Sequence, residues 1–148
     1  MSFINLNYHL VFSTKERRPL ITPDLLPRLT QYIGGIIRAS GGMMLAGNGP
    51  ADHLHIAAIL DQNLALKDVL GKVKTNSSKW IHETFAEQRG FAWQDGYAVF
   101  TISHSGIQQV VRYVERQQEH HKKMTFREEI IALLKKHEIP YDERFVCA

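Results

Sequence analysis

"MMLAGNGPADHLHIAAIL", residues 43–60, decides the fold. Two apolar runs flank "GNGPA", a glycine, asparagine and proline cluster that breaks regular structure, so the stretch reads as strand, turn and strand. An uninterrupted hairpin here divides the chain into a strand and helix before it and a helix and strand after it. In "FINLNYHLVFS", residues 3–13, Ile4, Leu6, Tyr8, Leu10 and Phe12 alternate with Asn5, Asn7, His9 and Val11. That is the period-two pattern of a strand with one wet face. The basic turn "KERRP" follows.

"TPDLLPRLTQYIGGIIRAS", residues 22–40, places Leu25, Leu29, Tyr32, Ile33, Ile36 and Ile37 at helical spacing. Thr22 with Pro23 makes a good helix start, but Pro27 lies deep for it, so the regular helix is expected to begin nearer Pro27. Gly41 and Gly42 end it. Beyond the hairpin, residues 66–85 form a long helix with Leu66, Val69, Leu70, Val73, Trp80 and Ile81 on one face. "GYAVFTIS", residues 96–103, is a fourth strand. Residues 106–123 read as one helix, and residues 125–138 as another, opened by Thr125 and Glu128 in capping-box spacing.

The order β-α-β-β-α-β, with two added helices, predicts an α+β fold. It is a ferredoxin-like or RRM-like four-stranded antiparallel sheet with helices on one face, plus C-terminal helices. A chain of 148 residues is one domain, residues 1–148, with a core over about 1–104 and the added helices over about 105–138. The composition, 44% apolar and 22% charged, is that of a globular protein and excludes a disordered one. Net charge is +3, which leans towards a polyanionic partner. A single cysteine, Cys147, excludes a disulfide framework or a zinc–cysteine site within one chain and fits a cytoplasmic setting. The N-terminus has no signal-peptide pattern, and no apolar run is long enough to span a membrane.

The histidines carry the chemistry. Alternation along a strand puts His53 and His55 on one face and Leu54 on the other, about 7 Å between the imidazoles. Such a pair can converge on one metal ion, but it needs a further ligand. On the third helix Tyr113 and Gln117 are four apart and flank the apolar stripe of Ile107, Val110, Val111 and Val114. Two imidazoles, an amide oxygen and a phenol suit a divalent cation, Mg²⁺ or Mn²⁺ where phosphate oxygens complete its shell. Each piece alone also has a bland reading, as half-exposed strand histidines or a packing tyrosine.

At these residues the chain resembles the single-tyrosine HUH transposases of insertion sequences, the "two-hundred" type. "YHLVFSTKERRPLI" looks like their opening strand and basic turn, and "DHLHI" like their histidine-hydrophobe-histidine motif. "WQDGYAVFTIS" looks like the approach to their last strand, and "VRYVERQ" like their tyrosine helix. The resemblance implies His53, His55 and Gln117 as metal ligands and Tyr113 as the nucleophile on single-stranded DNA. Attack leaves a 5′-phosphotyrosine and a free 3′-hydroxyl. It further implies recognition of hairpin ends and a homodimer whose active sites are shared between subunits.

Lys15, Arg17 and Arg18 in the basic turn, and Lys67, Lys72, Lys74 and Lys79 on the second long helix, are candidate DNA contacts. Trp80 reads as packing, and Trp93 as a candidate base-stacking residue. The rival reading is a non-catalytic RRM-like nucleic-acid-binding protein. It wants aromatics on an open sheet face, where the first strand offers Asn5, Asn7 and His9.

Overall fold

The computed structural model describes residues 1–146; Cys147 lies outside the described residues. Strand β1 (Asn7–Ser13) leads through the basic turn to helix α1 (Leu25–Ala39). The hairpin is β2 (Met43–Asn48) and β3 (His53–Ile59). Helix α2 (Leu66–Thr84) and strand β4 (Ala98–Thr101) complete the core. Three further helices follow: α3 (Ile107–Glu115), the short α4 (Gln117–His120) and α5 (Phe126–Lys136). The sheet has the order β2-β3-β1-β4 with antiparallel neighbours throughout, the split βαβ arrangement expected from the sequence.

Helix α1 begins at Leu25, earlier than the prolines alone imply. The Leu25 amide donates to the Thr22 hydroxyl at 3.2 Å just ahead of the helix, and Pro27 falls in the first turn of α1, where its missing N–H removes no helical bond. The hairpin turn requires Gly49, because a Cβ there would collide with the backbone carbonyl of His53.

The two faces of the sheet carry separate cores. Leu10 and Phe12 of β1 and Leu54, Ile56 and Ala58 of β3 pack against Leu29, Ile33 and Ile37 of α1 and Val69, Leu70, Val73 and Ile81 of α2. The opposite face was expected to be wet and is buried instead, with Asn7, His9, Val11 and Ser13 all closed off. Two apolar clusters cover it. Val114 of α3 packs with Ala46, Ala57 and Ile102. Phe126 and Ile130 of α5 pack with Val11 and Phe100. A sheet has two faces, and the C-terminal helices take the one that α1 and α2 leave free.

The helix expected over residues 106–123 breaks at Arg116, whose φ of −100° and ψ of 22° are not helical. No described helix is long and apolar enough to cross a membrane.

Candidate active site

Register places the site. His53 pairs with Ser13 and His55 with Val11, so both imidazoles rise from the middle of the sheet onto the face beneath α3 and α5. Neither has any exposed surface. Each has its Nδ1 engaged from the side: His53 Nδ1 lies 2.7 Å from Asp52 Oδ1, and His55 Nδ1 lies 2.8 Å from His9 Nε2. The Nε2 atoms therefore face inward, where Glu129 of α5 meets them. Glu129 Oε1 stands 2.9 Å from His55 Nε2, 3.3 Å from His53 Nε2 and 2.9 Å from His121 Nε2. The donor atoms of His53, His55, His121 and Glu129 lie within 4.8 Å of one another, a group able to hold a metal ion.

Tyr113 reaches the same cluster from α3. Its hydroxyl donates to Glu129 Oε2, and its ring lies 5.8 Å from that of His55 and 5.9 Å from that of His9. One carboxylate thus bridges the imidazoles and the phenol. Gln117 is fully buried, but its Oε1 contacts His121 Nε2 at 3.1 Å and its Nε2 donates to the Tyr113 carbonyl at 3.3 Å, behind the cluster. The expected residues His53, His55, Tyr113 and Gln117 all come together within one chain. The division of the site between two subunits is not needed to bring the tyrosine to the histidines.

Electrostatics follow from burial against pairing. Burial lowers His55 to about 4, although Glu129 pulls it upward. Burial and the neighbouring His55 lower His9 to about 3. His53 ends above its ordinary value, because hydrogen bonds to Asp52 and Glu129 outweigh its burial. Burial works to raise Glu129, but its bonds to His53 and His55 hold it well below the usual carboxylate range. Tyr113 is pushed up, first by burial and then by Glu129, so the phenol keeps its proton at neutral pH.

Sequence reasoning missed Glu129, His121 and His9. Glu129 carried a signal, since it shares the helical stripe of Phe126, Ile130 and Leu133, where a carboxylate has no place unless it has partners. His121 sits in a polar "HHKK" run and His9 on a face assumed wet; neither stood out.

The expected DNA contacts divide. The basic turn is fixed at the histidine end of the sheet: Thr14 N donates to the Asp52 carbonyl at 2.9 Å and Thr14 Oγ1 to the Arg18 carbonyl at 2.6 Å. Lys15, Arg17 and Arg18 are exposed there, and Arg17 borders a groove shared with Asp52, His121, Lys122 and Lys123. Lys67, Lys72 and Lys79 are exposed on α2, across the sheet from the histidines. Lys74 is committed to the fold, since its ammonium donates to the carbonyls of Gln94 at 2.6 Å and Gly96 at 2.9 Å. Trp93 is also committed: it is buried against Phe12 and Phe91 and donates to Ser77 Oγ at 3.0 Å, so it offers no stacking surface. Trp80 packs as expected, stacked on Tyr32 with centroids 4.5 Å apart.

A strand-borne histidine pair facing a buried carboxylate and a phenol is the kind of centre that can hold a divalent cation beside a nucleophile. The family model "Transposase IS200 like" matches residues 2–117, most of the chain, and the chain belongs to that family of DNA transposases. The ISDra2 transposase TnpA of Deinococcus radiodurans is 21% identical over 117 residues, covering 76% of this chain and 84% of its own. Two solved structures share the fold. A crystal structure assigned as a transposase of D. radiodurans R1 superposes with a TM-score of 0.63 at 22% identity, covering 78% of this chain and 93% of its own. A REP-associated tyrosine transposase bound to a REP hairpin has a TM-score of 0.61 at 14% identity, covering 82% and 72% respectively.

Proposed function

We propose that this transposase cuts and rejoins single-stranded DNA through Tyr113, beside a divalent cation held by His53 and His55, and recognises hairpin-forming ends of a mobile element. The carrying observation is that Tyr113 and both histidines meet on one buried carboxylate, Glu129. Tyr113 Oη would attack the phosphorus, the bond from phosphorus to the 3′ oxygen would break, and that oxygen would take up a proton. The DNA would remain joined to Tyr113 as a 5′-phosphotyrosine, and reversal by a 3′-hydroxyl would reseal it. Because the phenol holds its proton at neutral pH, attack needs that proton taken away, and the hydrogen bond to Glu129 Oε2 aims it at a carboxylate. Asp52 and His9 orient the two imidazoles so that both Nε2 atoms face the same space. When bound, the cation would polarise the phosphate and stabilise the leaving oxygen, and Mg²⁺ or Mn²⁺ is the class expected.

The hairpin preference is supported by the REP-hairpin complex of a protein with this fold. Chemistry on DNA goes with a cytoplasmic site of action. Pairing with a second copy belongs to this reading, but the contacts of Tyr113 within its own chain favour sites completed in one subunit. The alternative, a non-catalytic RRM-like binder, loses its main support because α3 and α5 cover the sheet face on which bases would stack.

The test is covalent capture. Single-stranded DNA carrying a hairpin, incubated with the protein and Mn²⁺, should yield a protein–DNA adduct that resists denaturant. Tyr113→Phe should abolish the adduct and keep hairpin binding within about threefold, since one hydroxyl is lost and little packing. An adduct formed by Tyr113→Phe would remove the tyrosine from its role.

A further inference from the structure

We infer that the cavity between β4, α3 and α5 is a nucleotide subsite, which holds the first nucleotide on the 3′ side of the cut, with Gln109 at its base and Lys136 at its phosphate. The inference rests on the cleavage reading above and says which part of the strand this cavity takes.

His53 and His55 have no exposed surface and Glu129 almost none, whereas Tyr113 is only partly buried, so the tyrosine is the member of the site that a strand can reach. Two openings border the site, one at each end of α5. The groove at the N-terminal end, where Arg17, Lys122 and Lys123 stand, is not lined by Tyr113. The cavity at the C-terminal end, about 500 Å³, is lined by Tyr113 itself, together with His9, Leu133 and Lys136. Its volume lies within the range of about 300–1,000 Å³ usual for small-ligand sites.

In the proposed attack the strand on the 3′ side of the cut keeps its phosphate and stays joined to Tyr113, while the strand on the 5′ side leaves with its 3′ oxygen. In-line displacement puts that leaving oxygen on the far side of the phosphorus from the tyrosine. A cavity lined by the tyrosine therefore suits the nucleotide that remains attached to it.

The lining has the chemistry of a nucleotide site. Among the described residues no carboxylate lines this cavity, whereas Asp52 and Glu128 stand in the groove at the other end. Lys136 is exposed and makes no ion pair among the described residues, so its ammonium is open to a phosphate. Gln109 is exposed on the wall from α3, and its amide offers both a donor and an acceptor to a base edge. His137 is exposed and stacked on the buried Phe100, with ring centroids 4.6 Å apart, so a flat ring already stands at the wall for a base to stack on.

A cycle between protein and strand tests this. The cut is first located from the length of the released 3′-hydroxyl fragment. Adduct formation in Mn²⁺ is then timed, with the protein in excess, on a hairpin-bearing strand and on the same strand with the base just 3′ of the cut replaced by an abasic sugar. Thermal melting shows that each variant is folded. For the wild type, losing the base should slow capture at subsaturating protein by about tenfold. Gln109→Ala should slow capture of the intact strand by about fivefold and leave the abasic strand within about twofold of the wild-type rate, because base and amide form one contact. Lys136→Ala should raise the half-saturating protein concentration by about fivefold on both strands and leave the maximal rate within about twofold. Half-saturation unchanged by Lys136→Ala overturns the phosphate assignment. A wild type indifferent to the missing base, or a Gln109→Ala variant slowed equally on both strands, overturns the subsite and leaves the cleavage reading standing. A wild type that forms no adduct on any strand overturns the cleavage reading, and the subsite with it.

Discussion

His9 illustrates how much a single side chain can hide. It sits among alternating residues of β1, on a face that period two marks as polar, and polarity there reads equally well as water or as a buried site. The structure closes that face and sets His9 Nε2 on His55 Nδ1. Removing that partner should misorient His55. His9→Leu is expected to weaken divalent-cation binding by about 10–100-fold, and His9→Gln, which keeps a hydrogen-bonding side chain, by distinctly less. Titrating Mn²⁺ into both variants checks the order.

The same residues set a pH dependence. His9 and His55, lowered to about 3 and about 4, stay neutral in the fold, while the unfolded chain protonates them near 6.5. Stability should therefore fall as pH drops from about 6.5 towards 4, by up to about 1.4 kcal/mol per pH unit for each. His53 has the opposite sign: its raised value gives a contribution that is full below 6.5 and lost as pH rises through its folded pKa. Glu129, held low, adds stability that is lost as pH falls below about 4.5. Urea unfolding in chelator across this range should show the decline on the acid side.

At the scale of elements, strand and helix periods were readable wherever one face meets apolar neighbours, which is why the core order and the positions of His53, His55 and Tyr113 were legible. The break at Arg116 was not, because no proline or glycine marks it; α3 packs on the sheet through Val114, while α4 turns to bury Gln117. Helix α5 is legible as a helix from its cap, Thr125 Oγ1 accepting from the Glu128 amide at 3.2 Å, but its docking on the second sheet face depends on partners far away in sequence. Thr125→Ala should cost about 1 kcal/mol of stability, read by urea unfolding. Phe126→Ala should cost about 3–5 kcal/mol and also loosen Glu129 from the histidines, so cation affinity should fall along with stability.

For the whole molecule, charge and assembly are the open levers. The exposed Arg17, Lys122 and Lys123 border the groove beside His121, whereas Lys67, Lys72 and Lys79 lie across the sheet. Replacing the first three with alanine should weaken single-strand binding and reduce the salt slope by about 0.7 for each phosphate left without its cation, and replacing the second three should leave both nearly unchanged. A binding series over salt concentration separates the two. Assembly is tested by mixing a His53→Ala/His55→Ala chain with a Tyr113→Phe chain. Sites completed within one chain predict a mixture that stays inactive; recovered adduct, carried by the histidine-variant chain, would show that the tyrosine helix is exchanged.

Glu129 follows every other residue of the site in the chain, on a helix that docks against a sheet already formed by residues 7–101. Synthesis proceeds from the N-terminus, so the sheet and its first two helices can fold while the carboxylate is still to be made. A chain stalled on the ribosome or clipped before α5 would carry Tyr113 and both β3 histidines without the carboxylate to which the tyrosine donates. If Tyr113 cuts DNA as proposed, delivering that carboxylate last is a safety catch: the protein would come into being unarmed.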